Sequence, residues 1–226
     1  LHGRSSVAIS ATPPAPTAAV QHRRLNPWSS PLTAGDIAVT AIQGDISPTK
    51  NFGLVVLREG GIASGTTFFV SDNGLQYDAE SECGVDFLQD GAAFVENFYE
   101  YTAPADLPFQ TVISFLHNHS DFTLKEGNQI YTESGEHDTP NLERGASGGD
   151  QIIVYDAPKY DTIGVGKTFL FAAAAQDAWR DATITGSYKI RSALPCGLSD
   201  GTTAVRAGAV DNAYFTGDGA WHAGVD

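Results

Sequence analysis

From Gly35 onward the chain is cut into apolar or alternating runs of four to eight residues, each closed by turn-forming residues. Runs of that length suit strands, because globular helices average about 11–12 residues. Asp36–Ile42 (DIAVTAI) alternates, Phe52–Leu57 (FGLVVL) is continuously apolar, and Thr66–Val70 (TTFFV) runs into Ser71-Asp72-Asn73-Gly74. Asn and Gly tolerate positive φ, so that tetrapeptide predicts a turn. Phe94–Tyr101, Thr111–Leu116, Gln151–Tyr155, Thr168–Ala173 and Ala213–Thr216 are further strand candidates. The weak helical signal over Ala172–Asp181, with Trp179 on its apolar side, fits a strand extension equally well. Many short strands between turns predict an all-β fold, a single-domain antiparallel β-sandwich over residues 35–226. Its 24 glycines serve turns, bulges and corners.

Charge divides the chain in two. Residues 1–35 hold Arg4, Arg23 and Arg24 and no acid, whereas the remaining 191 residues hold 10 basic and 27 acidic side chains. A basic, Pro-, Ala- and Ser-rich segment over 1–34 thus precedes an acidic body. It has the composition of a linker, of a targeting remnant, or of an extended arm that lies on an acidic surface. An acidic body is a poor partner for nucleic acid, whose phosphates need Lys and Arg. The longest apolar run, Phe169–Ala175, is far below the ~20 residues of a membrane-spanning helix. Cys83 and Cys196 leave two readings open, one disulfide or two buried thiols.

Five segments occur in order along the body: Gly35-Asp36-Ile37-Ala38, Phe68–Gly74 (FFVSDNG), Ser147–Ile152 (SGGDQI), Leu194–Val205 (LPCGLSDGTTAV) and Asp211–Gly217 (DNAYFTG). Over about residues 35–217 this resembles a poorly characterised group of secreted bacterial β-sandwich domains. Leu75 stands where that group carries a Trp, and Asp78–Gln89 and Lys125–Asn141 read as acidic insertions. The resemblance implies an extracellular module and supplies no catalytic residue. The composition near residue 1 also resembles the region around the processing site of plastid proteins in algae with complex plastids.

Several motifs invite chemistry. His117-Asn118-His119 and Asp121 have one parity on a continuous strand, so His117, His119 and Asp121 could share a face as metal ligands; a strand end entering a loop explains them more simply. The letters HNH do not make a nuclease without a ββα setting and a DNA-tolerant charge. Asp72 and Asn73 with Asp78, Glu80 and Glu82 gather oxygen donors suited to Ca²⁺, but the EF-hand spacing is absent and a solvated turn accounts for them. Asp200-Gly201 and Asp211-Asn212 read as turn formers. Gly166-Lys167-Thr168 lacks the first Gly of a phosphate loop, and a hairpin turn explains it. Ser147 has no nucleophile elbow around it. Phe94, Phe98, Tyr99 and Tyr101 could form a sugar platform, or one core side and one interface side of a strand.

The expectation that follows is a non-enzyme with no catalytic residues, cofactor or metal. It is a self-assembling scaffold or shell subunit whose partner is itself, as a homo-oligomeric sheet or tube. Arg23, Arg24, Leu25 and Trp28 are the expected interface residues, with Pro27 and Leu32 as further anchors, since Trp and Arg dominate interfaces. Read with a plastid-targeting remnant, the chain resembles the protein shell around the Rubisco-filled pyrenoid of diatoms, which implies Rubisco matrix components as neighbours. The alternatives are a secreted adhesion or carbohydrate-binding module and a metal-dependent hydrolase using His117, His119 and Asp121.

Overall fold

The computed structural model describes residues 31–43, 51–87, 89–90, 93–94, 98–118, 121–126, 129–133, 151–158, 166–176, 178–181, 192–208, 212–215 and 221–223. Among these there is no helix, and the expected all-β fold is what forms. The strands are β1 (Ile37–Gln43), β2 (Asn51–Val56), β3 (Thr67–Ser71), β4 (Leu75–Asp78), β5 (Cys83–Phe87), β6 (Gln89–Asp90), β7 (Ala93–Phe94) and β8 (Phe98–Thr102). They continue with β9 (Val112–Asn118), β10 (Asp121–Glu126), β11 (Gln129–Glu133), β12 (Gln151–Asp156), β13 (Thr168–Ala174), β14 (Ala204–Arg206), β15 (Asn212–Phe215) and β16 (Trp221–Ala223). A seven-stranded sheet has the order β11-β10-β9-β2-β1-β15-β16, and a five-stranded sheet the order β14-β13-β12-β3-β8. All these pairings are antiparallel except β13 with β14, which is parallel.

The inner faces follow from period-two alternation. Phe52, Leu54 and Val56 of β2 face the core with Ile113 and Phe115 of β9, and β1 adds Ile37, Val39 and Ile42. A bulge between Val39 and Ala41 keeps Ile42 on the core side. Phe68, Val70, Tyr101, Ile152, Val154 and Leu170 reach the same core from the five-stranded sheet. Aromatic rings join the layers: Phe52 stacks on Phe115 at 4.2 Å, Phe115 meets Tyr101 edge-on at 6.0 Å, and Tyr101 lies 4.8 Å from Phe68. Leu32 is also buried here, so it anchors its own domain rather than a neighbour's, and the packed body reaches back to Leu32.

A second core lies on the other face of the five-stranded sheet. Phe69, Ile153, Tyr155, Phe169 and Ala172 point away from the first core and are covered by Leu75 and Phe87 of the β4–β5 ribbon and by Ala193 and Leu198. The ring of Phe87 lies 5.0 Å from Tyr155, and Tyr155 lies 5.4 Å from Phe69. The first five residues of β12 are consequently all buried.

The ribbon is fastened to residues 192–196 by backbone hydrogen bonds. Gly84 N–H donates to Leu194 O (2.7 Å), Cys196 N–H to Gly84 O (3.0 Å), and Ala193 N–H to Leu75 O (3.0 Å). A Cβ at Gly84 would fall 2.7 Å from that of Leu75 and 3.1 Å from that of Ala193, so only glycine permits this approach. Cys83 and Cys196 close the contact as a disulfide, with Cα atoms 5.1 Å apart across 113 residues of sequence. Of the two readings the sequence left open, the disulfide is the one formed.

Two expectations concern stability. Cross-linking so distant a pair restricts the unfolded chain, so Cys83→Ser with Cys196→Ser should cost about 2–5 kcal/mol; urea unfolding of both proteins measures it, and an unchanged midpoint would contradict the clamp. The Tyr101 hydroxyl is buried and has no hydrogen-bond partner among the described residues. Tyr101→Phe should therefore leave the melting temperature unchanged or raise it, because it removes a desolvated group at no cost in packing.

Candidate functional site

Two places concentrate polar or exposed apolar groups, and they differ in what they can do. The first is the corner where β3 leaves its sheet for the ribbon. Ser71, Asp72, Asn73, Gln151, Gln176 and Ser192 are all buried there. The side-chain amide of Gln151 donates to Asp72 O, and Asn73 N–H donates to Ser71 Oγ at 3.0 Å. Gln176 grips the Ser192 backbone from both sides, donating from Nε2 to Ser192 O (3.3 Å) and accepting from Ser192 N–H at Oε1 (3.2 Å). The Ser192 hydroxyl accepts from Leu75 N–H at 3.0 Å and donates to Ala193 O at 2.9 Å. The hydroxyl is thus engaged as donor and as acceptor by backbone, and the corner works as a polar lock. The expected solvated turn at Asp72-Asn73-Gly74 is corrected: the chain does not reverse within one sheet but crosses to a ribbon folded over it, which encloses the corner.

This separates the proposed Ca²⁺ ligands. Asp72 belongs to the enclosed corner, whereas Asp78 belongs to the exposed ribbon turn, where it accepts from the Ser81 hydroxyl (2.6 Å), Ser81 N–H (3.1 Å) and Glu80 N–H (3.4 Å). The Ser81 hydroxyl, then the Ser81 and Glu80 amides, hold the Asp78 carboxyl below its ordinary range. Glu80 and Glu82 are exposed.

The other motifs resolve similarly. Both oxygens of Asp200 are engaged, by Trp179 Nε1–H (2.9 Å) and by the Arg206 guanidinium (3.1 and 2.9 Å), so Asp200-Gly201 is a tied turn. Lys167 is buried, with its ammonium 2.8 Å from Asp86 and 5.9 Å from the Phe87 ring centroid. It therefore pins the ribbon to β13 and is not presented to a phosphate. Tyr101 is in the core and unavailable to a sugar, and β8 begins only at Phe98. Ala172–Asp181 continues β13 to Ala174 with no helix. His117 and Asp121 flank a hairpin: β9 and β10 pair Asn118 with Asp121 and His117 with Phe122. Register sets Asp121 opposite Asn118 rather than beside His117. Among the described residues no group of three or more His, Cys, Asp or Glu could hold a metal ion. His119, Ser147, Asp211 and the expected interface residues Arg23, Arg24, Leu25 and Trp28 lie outside the described residues.

The second place is the outer face of the seven-stranded sheet. Its central strands β1, β2, β9 and β15 (IAVTAIQ, NFGLVV, VISFLHN and NAYF) contain no Asp, Glu, Lys or Arg. Outer sandwich faces normally alternate in polar residues. Here the register aligns Ala38, Ala41, Gln43, Asn51, Gly53, Val55, Val112, Ser114, Asn212 and Tyr214, which are uncharged but part polar, in a chain of formal charge −14; Ala38 and Gly53 are buried and Val55 half-buried. Tyr214, paired with Ala41, is 45% exposed at one side, and Val112, paired with Val55, is 43% exposed at the other. At the Val112 end, Gln110 N–H donates to Val56 O (2.8 Å), which brings the turn carrying Phe109 beside Leu57. Leu57 and Phe109 are both exposed. Sequence reasoning missed this face because it assessed each strand singly; the absence of charge shows only when the four paired strands are read together.

No protein-family model, curated protein or solved structure matches the chain. No described helix is long and apolar enough to cross a membrane.

Removing Asp86 would leave the Lys167 ammonium buried without that partner. Asp86→Ala should cost about 2–3 kcal/mol, less than the ~3–5 of a fully buried pair, because Asp86 is 37% exposed. Asp86→Leu combined with Lys167→Met should recover most of the loss in a denaturant titration; a double variant as weak as Asp86→Ala would show that the pair is not the fastening.

Proposed function

We propose that this chain is a structural subunit that assembles with copies of itself into a protein lattice. The observation carrying the reading is the uncharged outer face of β1, β2, β9 and β15, flanked by exposed Leu57, Phe109, Val112 and Tyr214. Exposed apolar surface on an acidic protein marks an interaction face. A sheet face suits it to another protein surface more than to a small molecule, which prefers a concavity. The charge asymmetry between residues 1–35 and the body adds an attraction between subunits at distances within the Debye length, about 8 Å at physiological salt. Several non-equivalent contacts per subunit extend a lattice, where one self-complementary contact would close a dimer. The setting we assign is the shell around the Rubisco-containing pyrenoid of an algal plastid, on the resemblance stated above. A continuous sheet there would retain the Rubisco matrix and slow CO₂ loss.

The Cys83–Cys196 disulfide favours a second reading, an adhesion or carbohydrate-binding module outside the cell, because disulfides persist in oxidising compartments. A tagged copy in its native cell separates the two by location.

For the assembly itself, purified full-length protein should form sheets or tubes by electron microscopy and sediment as large species. Val112→Lys and Tyr214→Lys should each keep the melting temperature, since both positions are exposed, and should abolish those species. A protein that stays monomeric at high concentration would refute the proposal.

A further inference from the structure

His117-Asn118-His119 draws attention for its imidazoles, but its asparagine carries a second pattern. Asn118-His119-Ser120 is an asparagine with a hydroxyl residue two positions on and no proline between, the acceptor motif of N-linked glycosylation. Of the eight asparagines in the chain, Asn118 alone has Ser or Thr at that spacing. We infer that Asn118 is the attachment site of an N-linked oligosaccharide.

A three-residue motif arises by chance in many chains, so its place in the fold decides. A glycan is bulky and hydrophilic, and it needs an acceptor where the chain reverses at the surface rather than inside a ladder. Asn118 is the last residue of β9 and pairs with Asp121, the first residue of β10. Only His119 and Ser120 separate the two in sequence, so the acceptor stands at the closed end of the β9–β10 hairpin. β2 accompanies β9 no further than Leu116, which pairs with Asn51. Among the described residues Asn118 therefore has a strand on one side only, that of β10. Such turn ends are where chains best tolerate added bulk.

The Cys83–Cys196 bridge is an independent observation that fits the same route, because disulfides form and persist in the ER lumen and outside the cell. The inference concerns that route, so it stands with either the shell or the adhesion reading. The transfer is a substitution. The side-chain nitrogen of Asn118 loses a proton and bonds the anomeric carbon of a lipid pyrophosphate-linked oligosaccharide. The bond from that carbon to the pyrophosphate breaks, and the lipid pyrophosphate leaves with its electron pair. Position sets the consequence: Asn118 lies at the other end of β9 from Val112, about 20 Å away at the rise of a strand. Sugar there keeps copies from meeting through the β9–β10 end and leaves the end carrying exposed Leu57, Phe109 and Val112 open.

The test uses full-length protein isolated from its native cell, digested, treated with a peptide N-glycosidase in H₂¹⁸O and read by mass spectrometry. That enzyme turns a glycosylated asparagine into ¹⁸O-labelled aspartate, so the label should appear at position 118 as the sugar mass is lost. Ser120→Thr keeps the motif and should keep the sugar, whereas Ser120→Ala and Asn118→Gln should each lose all of it and migrate faster on a denaturing gel. Migration under denaturing conditions reads the sugar even from a variant that folds poorly. A peptide found only with unmodified Asn118 overturns the inference, as does an N-linked sugar that survives Ser120→Ala. The readout is the peptide itself and does not depend on whether the protein assembles.

Discussion

The five-stranded sheet is enclosed on both faces, and most of the architecture follows from what that enclosure requires. A strand with water on one side can alternate, but β12 (QIIVYD) has its first five residues buried and so must be apolar or internally hydrogen-bonded throughout. Its inner residues Ile152 and Val154 meet the seven-stranded sheet, while Ile153 and Tyr155 need a second cover. The β4–β5 ribbon supplies that cover, although a two-stranded ribbon alone is marginal. It is held by the backbone bonds of Gly84 and Leu75, the Lys167–Asp86 pair and the Cys83–Cys196 disulfide. The bridge, the glycine and the buried lysine are thus three answers to one demand, keeping water from the outer face of β12.

Polar residues at the strand ends serve the same end. Asp36 accepts from Thr33 N–H and bonds its hydroxyl, fixing the turn that leads into β1. Asp72, Asn73 and Gln151 form the enclosed corner, and Asp200 ties Trp179 to Arg206 beside β14. Each is a polar group at a strand end, where backbone groups no longer have a ladder partner and something must satisfy them. Such residues specify where a chain turns, and their presence reports the fold.

What was legible from the sequence divides along this line. The long strands β1, β2, β3, β9, β12 and β13 were read within one or two residues at each end, because their apolar runs are local signals. The ribbon strand β5 and the hairpin strand β11 lie inside segments taken for acidic insertions, and their partners β4 and β10 run into those segments only at their ends. A strand such as Cys83–Phe87 is stabilised by contacts with residues a hundred positions away, which no local window contains. The same blindness affected His117 and Asp121, whose parity depends on a turn between them, and Leu32, which composition assigned to the arm but which packs in the core. The exposed sheet face was beyond reach for a related reason: β1, β2, β9 and β15 become neighbours only through the pairing order.

Net charge sharpens what that face means. Two bodies of the same negative sign repel, and the repulsion is least where no charge lies in or near the contact, since screening removes distant pairs first. An uncharged sheet face is therefore the surface on which copies of this protein approach at lowest electrostatic cost. At Gly53 a Cβ would lie only 2.8 Å from Thr40 Oγ1, so the sheet leaves little room for a larger side chain at that point. Sheet alternation would ordinarily have placed lysines and glutamates on these outward positions to keep the domain apart from its copies. Their absence from four adjacent strands, in a chain with 27 acidic residues to place elsewhere, is the observation on which the proposed contact between copies rests.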